Sequence, residues 1–233
     1  MHFLGFLSIL LLFNVVSYAA PAANTPIQVN LRIEGAQTTL FEGTVTTSGH
    51  DVTTPSGGTH ECDGLNSGAN SQPGATPFTA LADGAQQNGF TFDGLWEDVF
   101  NDFIIGTIAG EFSGGSTIWT GAVDFLEQGI ITGCHKEISG GDQVVFALTD
   151  DSTSPIFLKL QGPTTAKVNH PVTFSVIDGF FLTRIQGAQV NGHATDANGN
   201  VMITFAQPGQ VSLKASKVGG FVRSNRLDIQ VTN

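Results

Sequence analysis

The segment IQVNLRIEGAQTTLFEGTVT, residues 27–46, decides how the first half of this 233-residue chain folds. Its first apolar residues alternate with polar ones, which places them on one face of a β-strand. These residues are Ile27, Val29, Leu31 and Ile33. The stretch EGAQT then predicts a turn, and TLFEGTV predicts a returning strand. The segment is therefore a predicted β-hairpin with one apolar face that another element has to cover.

An amphipathic helix predicted within ATPFTALADGAQQNGF, residues 75–90, supplies that cover. Thr76 suits the N-cap, Pro77 the first helical position and Gly89 a left-handed stop. The apolar stripe falls at helical spacing, so it predicts packing against a sheet. It consists of Phe78, Leu81, Ala82 and Ala85.

Two domains are predicted from the order of elements. Two strands, one helix and then further strands predict a β-grasp-like α+β domain over residues 24–150. DDSTSP, residues 150–155, is polar and ends in proline, which favours a boundary. Short strands then recur between Gly, Pro and Asn turns, which predicts an immunoglobulin-like β-sandwich over residues 155–233. The predicted fold class is therefore mainly β with one helix.

The N-terminus predicts secretion. FLGFLSILLLFNVV, residues 3–16, is an uncharged apolar run that small residues follow. This pattern predicts a signal peptide over residues 1–19, with cleavage alternatively as late as residue 22. The run is shorter than the roughly 20 residues of a membrane span. We therefore expect a secreted protein, extracellular or associated with a cell wall, without a membrane span.

Charge is unevenly distributed along the chain. Residues 24–150 contain 16 acidic and 2 basic residues, a net charge of −14, whereas residues 151–233 contain 4 acidic and 7 basic residues, a net charge of +3. A first domain with this much negative charge repels phosphate backbones. We therefore expect no nucleic-acid partner. Its acidity is explained either by solubility or by binding of a cation or a basic partner.

The two cysteines, Cys62 and Cys134, predict one disulfide, because an even number of cysteines in a secreted chain is typical of disulfide bonding. His60 and His135 lie beside them and are weak candidates for metal ligands. Their spacing matches no structural zinc signature, and an oxidising compartment removes the thiolates. We expect a disulfide and no metal.

Four segments of the first domain together resemble the transcobalamin-like C-terminal domain, a β-grasp module of secreted and cell-surface proteins. The resemblance covers residues 27–149, in the segments VNLRIEGAQTTLFEGTV, GFTFDGLWEDVFNDFIIGTIAGE, IWTGAVDFLEQGI and ISGGDQVVFAL. The positions of the family's tryptophan-centred strand and closing strand are filled by Trp119, Gly141, Asp142, Val144 and Phe146. The second domain, with TDANG before a PG turn, is similar to bacterial-type surface immunoglobulin-like repeats.

These resemblances imply ligand binding or surface display rather than catalysis. In cobalamin carriers the module covers the corrin from one side while a helical barrel holds the other side. This sequence contains no such barrel, and a ligand normally needs most of its surface buried. We therefore expect no cofactor.

The leading functional hypothesis is a secreted, non-catalytic binding or surface-interaction protein. Its partner is an unknown small molecule, a glycan or an extracellular protein. The alternative is a small-molecule carrier with an apolar cleft beside the helix. The residues that would line this cleft are Phe90, Phe92, Trp96 and Trp119.

A third hypothesis is an extracellular glycoside hydrolase that uses Glu97 or Asp98 as its acid, since glycosidases use paired carboxylates. These residues belong to LWEDVFNDF, which also contains Asp102. Here the carboxylates alternate with apolar residues, which is typical of an amphipathic segment with a solvated face. We therefore expect that the protein is not an enzyme.

Overall fold

The protein is mainly β with one α-helix in the part of the chain that the structure describes, which confirms the predicted fold class. The computed structural model describes residues 24–129 and 133–233, and the predicted signal peptide lies outside these residues. Below, "first domain" means residues 24–150 and "second domain" means residues 155–233.

The first domain contains β1 (Ile27–Glu34), β2 (Thr39–Thr47), β3 (His50–Thr54), β4 (Gly58–Cys62), a short 3₁₀-helix (Asn66–Gly68), α1 (Pro77–Asn88), β5 (Phe92–Glu97), β6 (Asp102–Ile108), β7 (Glu111–Phe112), β8 (Thr117–Val123), β9 (Leu126–Gly129) and β10 (Gln143–Asp150). Five of these strands form a mixed sheet in the order β2-β1-β10-β8-β9. The first and last strands, β1 and β10, are parallel neighbours at its centre. The predicted hairpin is confirmed, since β1 pairs with β2 in antiparallel fashion.

Helix α1 covers the inner face of this sheet, and its predicted ends are confirmed. Thr76 accepts a hydrogen bond from the backbone N–H of Thr79, and Gly89 ends the helix with a φ of 74°. Leu31 and Leu81 are both fully buried in the core between helix and sheet. A Cβ on Gly84 would lie 2.4 Å from Leu31, so this glycine permits the close approach of helix and strand.

The segment of residues 46–74 is rich in Gly, Ser, Thr and Pro, a composition that predicts a long loop, and that prediction is wrong in part. Residues 50–62 form the hairpin β3–β4 instead. Val52, Thr54 and Cys62 point inward and are buried, so β-branched side chains at alternate positions outweigh the loop-like composition. A further sheet in the order β5-β6-β7 lies next along the chain.

The second domain consists of short strands in several sheets. Its strands are β11 (Ile156–Gln161), β12 (Thr165–Lys167), β13 (Pro171–Asp178), β14 (Gln189–Val190), β15 (His193–Ala194), β16 (Asn200–Thr204), β17 (Gly209–Leu213), β18 (Ala215–Ser216), β19 (Phe221–Val222) and β20 (Leu227–Thr232). The sheets β16-β13-β11-β19 and β12-β20-β17 share one core, in which Phe174 and Ile229 are almost fully buried. No helix among the described residues is long and apolar enough to cross a membrane.

The outer face of the mixed sheet packs against the second domain. Val145 and Ala147 of β10 point to this face, opposite the side chains that α1 covers. Together with Ala122 and Phe125 they form an apolar cluster with Phe157 and Val222 of the second domain. The central sheet is therefore covered by a helix on one face and, around β10 and the end of β1, by the second domain on the other.

A buried carboxylate lies beside this apolar cluster. Glu34 of β1 is opposite Ala147 in the strand register, and its side chain is only 2 % exposed. Its carboxylate accepts hydrogen bonds from Lys214 Nζ at 2.6 Å and from Arg223 Nε at 2.7 Å. Lys214 also donates to Glu42 Oε2 at 2.8 Å, and Arg32 donates to the backbone oxygen of Arg223. Ion pairs with little water around them therefore join the domains.

Replacing Glu34 with glutamine should lower the free energy of unfolding by about 3 kcal/mol, because buried cations lose their counter-charge. Urea denaturation measures the change. Arg226→Gln is the control, since it removes a cation whose ion pair with Asp228, within the second domain, is exposed, at 45 % and 40 % of the two side chains. That control should cost less than about 1 kcal/mol. Equal effects of the two substitutions would contradict the account.

Candidate functional site

The predicted disulfide between Cys62 and Cys134 is present. Cys62 ends β4 and Cys134 lies in the turn at residues 133–135, and both are fully buried. The surrounding backbone is tied to the same point, since Gly64 N donates to the oxygen of Cys134 at 3.1 Å and Thr76 Oγ1 donates to the oxygen of Cys62 at 3.1 Å. The disulfide therefore joins the β3–β4 hairpin, the start of α1 and the segment before β10.

The two histidines beside the cysteines make separate contacts. The His60 ring stacks on Trp96 with centroids 3.8 Å apart, and its Nε2 lies 2.9 Å from the oxygen of Gly57. His135 Nε2 lies 3.0 Å from the oxygen of Asn101. Among the described residues, no group of three or more His, Cys, Asp or Glu side chains is arranged to hold a metal ion.

Asp102 is the carboxylate whose surroundings differ most from the sequence-based expectation. A solvated face was expected for this segment, and the expectation is wrong for Asp102, which is fully buried at the start of β6. Its Oδ1 accepts hydrogen bonds from the N–H of Phe103 at 2.8 Å and of Cys134 at 3.2 Å, whereas Oδ2 has no protein partner. Burial raises the pKa of Asp102 to about 6, although these N–H donors and His135 partly oppose the shift.

Glu97 and Asp98, the hydrolase candidates, lie on the other side of the same turn. Asp98 is exposed and accepts a hydrogen bond from Trp96 Nε1 at 2.9 Å. Asp102 is sealed from water, so a substrate cannot reach it. Of these carboxylates, Asp98 is exposed and bonded to an indole N–H, Glu97 is half-buried and Asp102 is fully buried.

The four aromatic residues proposed to line a cleft beside the helix all contact the core of the first domain. Trp119 is buried within that core, and Phe90, Phe92 and Trp96 are partly buried against it. Phe90 packs on Phe41 with ring centroids 5.5 Å apart. Other residues line an apolar cleft of about 470 Å³, a smaller cleft of about 140 Å³ and a polar cleft on the protein surface.

The sequence reasoning missed an exposed apolar surface on the second domain. We call Phe180, Phe181 and Leu182 the apolar turn; their exposed fractions are 50 %, 72 % and 62 %. The turn follows β13 and is held by Asp178, whose Oδ1 accepts from the N–H of Phe180 at 2.8 Å and of Phe181 at 3.1 Å. Its backbone is therefore fixed although its side chains point into water.

An apolar cleft of about 470 Å³ adjoins the apolar turn. It lies where the two domains meet, because Phe125 of the first domain and Phe157 of the second line it together with Phe180 and Phe181. Phe125 and Phe157 also belong to the interdomain apolar cluster. The cleft is therefore a continuation of the domain interface toward the surface.

The signal for this surface was present in the sequence as IDGFFLTR, residues 177–184. A turn sequence, Asp-Gly, is followed there by three large apolar residues in a row, whereas turns are usually polar.

A smaller cleft of about 140 Å³ lies between Glu34 and Arg223 at the same domain interface. A third cleft, lined by Asn30, Glu42 and Arg226 among others, is polar.

Comparison with known proteins finds no family model that matches this chain and no curated protein with significant similarity to it.

Replacing both cysteines with serine should lower the free energy of unfolding by about 4 kcal/mol, because the disulfide closes a loop of about seventy residues in the unfolded chain. The residues that it joins are 72 positions apart. Urea denaturation of the oxidised protein and of the double variant measures the difference. A loss below about 1 kcal/mol would show that the disulfide contributes little to the free energy of unfolding.

The Asp102→Asn variant should change how stability depends on pH. The pKa of Asp102 is raised in the folded protein, so its protonation favours folding as pH falls through about 6, and the ionised form penalises folding above that pH. Asparagine keeps the acceptor oxygen and cannot ionise. The stability of the variant relative to the parent should therefore rise by on the order of 3 kcal/mol between about pH 4 and about pH 8. Parallel pH profiles in thermal denaturation would contradict the assignment.

Proposed function

We propose that this chain is a secreted, non-catalytic binding or surface-interaction protein that contacts a macromolecule through the apolar turn and the adjoining cleft. The observation that supports it is the exposure of Phe180, Phe181 and Leu182 on a fixed turn. The contiguous apolar patches of a protein surface are often interaction sites. Their exposure to water is unfavourable unless a partner covers them.

The rigidity of the surroundings also supports binding. Ion pairs of Glu34 and an apolar cluster hold the two domains together, and two residues of that cluster, Phe125 and Phe157, line the cleft. A contact surface whose parts are already in place loses little conformational entropy when a partner binds. The second domain then acts as a contact module and not only as a spacer.

A non-catalytic role agrees with the placement of the carboxylates. Asp102 has the raised pKa that an acid catalyst needs, but it is fully buried next to the disulfide. Raised pKa values also arise at structural positions. The transcobalamin-like and immunoglobulin-like resemblances point in the same direction, since both types of module bind or display.

A small-molecule carrier is the second candidate, and one observation favours it. The volume of the cleft, about 470 Å³, is in the range of ligand pockets, and its lining includes Phe125, Phe157, Phe180 and Phe181. This carrier site would lie at the domain interface and not beside the helix.

Native mass spectrometry of the protein purified from its own secretions tests the proposal. We expect a complex with a macromolecule that is lost in Phe181→Ser and kept in the control Val218→Ser, whose residue is 92 % exposed elsewhere on the second domain. An adduct the size of a small molecule would favour the carrier. The mass of the polypeptide alone, less two hydrogens for the disulfide, would contradict both.

A further inference from the structure

We propose that the solvent-facing side of the β5-β6-β7 sheet is a second interaction surface, and that its partner is a basic amphipathic α-helix of another protein. The surface lies on the first domain, so the inference does not depend on the apolar turn of the second domain. It goes beyond the proposed function because it gives the acidic domain a partner of its own.

The β5-β6-β7 sheet has one side in the core of the first domain and one side toward solvent. Phe103 and Ile108 of β6 point inward and are fully buried. Leu95 of β5 points the other way, since its neighbour Trp96 packs against the core, and Leu95 is 57 % exposed. A sheet side that carries apolar side chains is normally covered by another element.

Strand register brings further side chains to the same side as Leu95. Leu95 is opposite Ile104, which is half-buried. Thr107 of β6 is opposite Asp93 of β5 and Phe112 of β7, and Phe112 is 71 % exposed. Opposed side chains share one side of a sheet, and diagonal neighbours are within reach of aromatic rings. We call the surface formed by these five residues the β5–β7 face.

The turn between β5 and β6 adds two apolar side chains at one end of the β5–β7 face. Val99 is 87 % exposed and Phe100 is 42 % exposed. Backbone hydrogen bonds hold the turn, from Phe100 N to the oxygen of Glu97 at 3.0 Å and from Asn101 N to the oxygen of Asp98 at 3.3 Å. A fixed backbone loses little conformational entropy when a partner binds.

Carboxylates lie among these apolar side chains. Asp93 belongs to the β5–β7 face, and Glu97 and Asp98 precede Val99 in the turn. Residues 92–112 contain five acidic residues and no Lys, Arg or His. The apolar surface is therefore combined with negative charge, which the second-domain turn is not.

This charge determines the kind of partner. In the whole first domain, the only lysine or arginine besides the buried Arg32 is Lys136, whose neighbour in sequence is Glu137. The carboxylates beside the β5–β7 face therefore have few cations of their own domain to pair with. A partner that places Lys or Arg beside an apolar stripe is complementary to this surface, whereas an acidic partner is repelled.

An α-helix fits the shape of the β5–β7 face. A helix with apolar residues at positions i, i+3, i+4 and i+7 lays one stripe on an apolar surface and carries its charged residues on the flanks. Helix α1 covers the neighbouring mixed sheet in this manner. Three strands at a spacing of about 4.8 Å span about 10 Å, so a helix of about three turns, roughly 16 Å long, crosses the face.

A lipid surface is the competing occupant, since exposed apolar side chains also insert into bilayers. The anionic headgroups of a bilayer repel the carboxylates of Asp93, Glu97 and Asp98. Insertion of Leu95 would also take the adjacent carboxylates out of water, which is costly without a cationic partner. The charges therefore favour a basic helix over a bilayer.

Fluorescence anisotropy of a labelled synthetic peptide, titrated with the whole oxidised protein, tests the inference. The probe is an amphipathic peptide of about 14 residues, roughly four helical turns, with leucine at the stripe positions and lysine elsewhere. The reference peptide has glutamate in place of lysine. We expect a micromolar dissociation constant for the lysine peptide, weakened at least about tenfold between about 50 mM and about 500 mM salt, and no binding of the glutamate peptide.

Two substitutions place the peptide on the β5–β7 face. Leu95→Ser should raise the dissociation constant at least about tenfold. Asp98→Asn keeps an acceptor for the indole of Trp96 and removes one charge, so it should raise the constant about threefold, the effect of an exposed ion pair. The matched controls Phe181→Ser and Asp151→Asn, both at exposed positions elsewhere, should leave it unchanged. Thermal unfolding checks that each exposed substitution leaves the fold intact.

The other outcomes overturn the inference and separate it from the proposed function. Failure of the lysine peptide to bind, equal binding of the glutamate peptide, or binding that Leu95→Ser leaves unchanged contradicts the assignment. If Phe181→Ser abolishes binding and Leu95→Ser does not, the peptide lies on the apolar turn, which supports the proposed function and excludes the β5–β7 face. Flotation with phosphatidylcholine vesicles that is lost in Leu95→Ser assigns the face to a lipid surface and excludes the basic helix.

Discussion

The carboxylate of Glu34 is the constraint on which the rest of the structure depends. It lies on the outer face of the central sheet, almost without water, and a lysine and an arginine from the second domain bond to it. A buried charge that loses its partner is strongly destabilising, whereas the paired charge is tolerated. The first domain therefore needs the second to cover this face, and Lys214 and Arg223 need the first domain in turn. Two cores that are separate along the chain are coupled at this point.

This coupling determines the surface that we propose to be functional. Because the ion pairs fix the two domains, Phe125 stays opposite Phe157 and the apolar cluster between the domains opens into the cleft at its edge. The disulfide acts at the other side of the sheet, where it ties the β3–β4 hairpin to the start of α1. The disulfide and helix α1 therefore stabilise the first domain on one face of the sheet, and the ion pairs of Glu34 stabilise it on the other face. Both sets of contacts fix the positions of the cleft and the apolar turn.

Local patterns made part of this structure predictable. The β1–β2 hairpin follows from alternation, the ends of α1 follow from Thr76 and Gly89, and the disulfide follows from the cysteine count and the predicted compartment. The rest depends on packing between distant segments. Alternation indicates that Arg32 and Glu34 point away from the helix, but it is the second domain that excludes water from their side chains. The same is true of Asp102, whose burial depends on the turn around Cys134. The exposure of Phe180 to Leu182 could be predicted from the sequence, because they are apolar residues in a turn. The cleft beside them could not be predicted in this way.

Differential scanning calorimetry of the whole protein tests the coupling of the domains most directly. If the sheet depends on both of its covers, unfolding is one cooperative transition, and the calorimetric enthalpy equals the van't Hoff enthalpy. The account predicts this equality for the oxidised chain. Two separable transitions, or a calorimetric enthalpy well above the van't Hoff value, would show that the domains unfold independently and would contradict it.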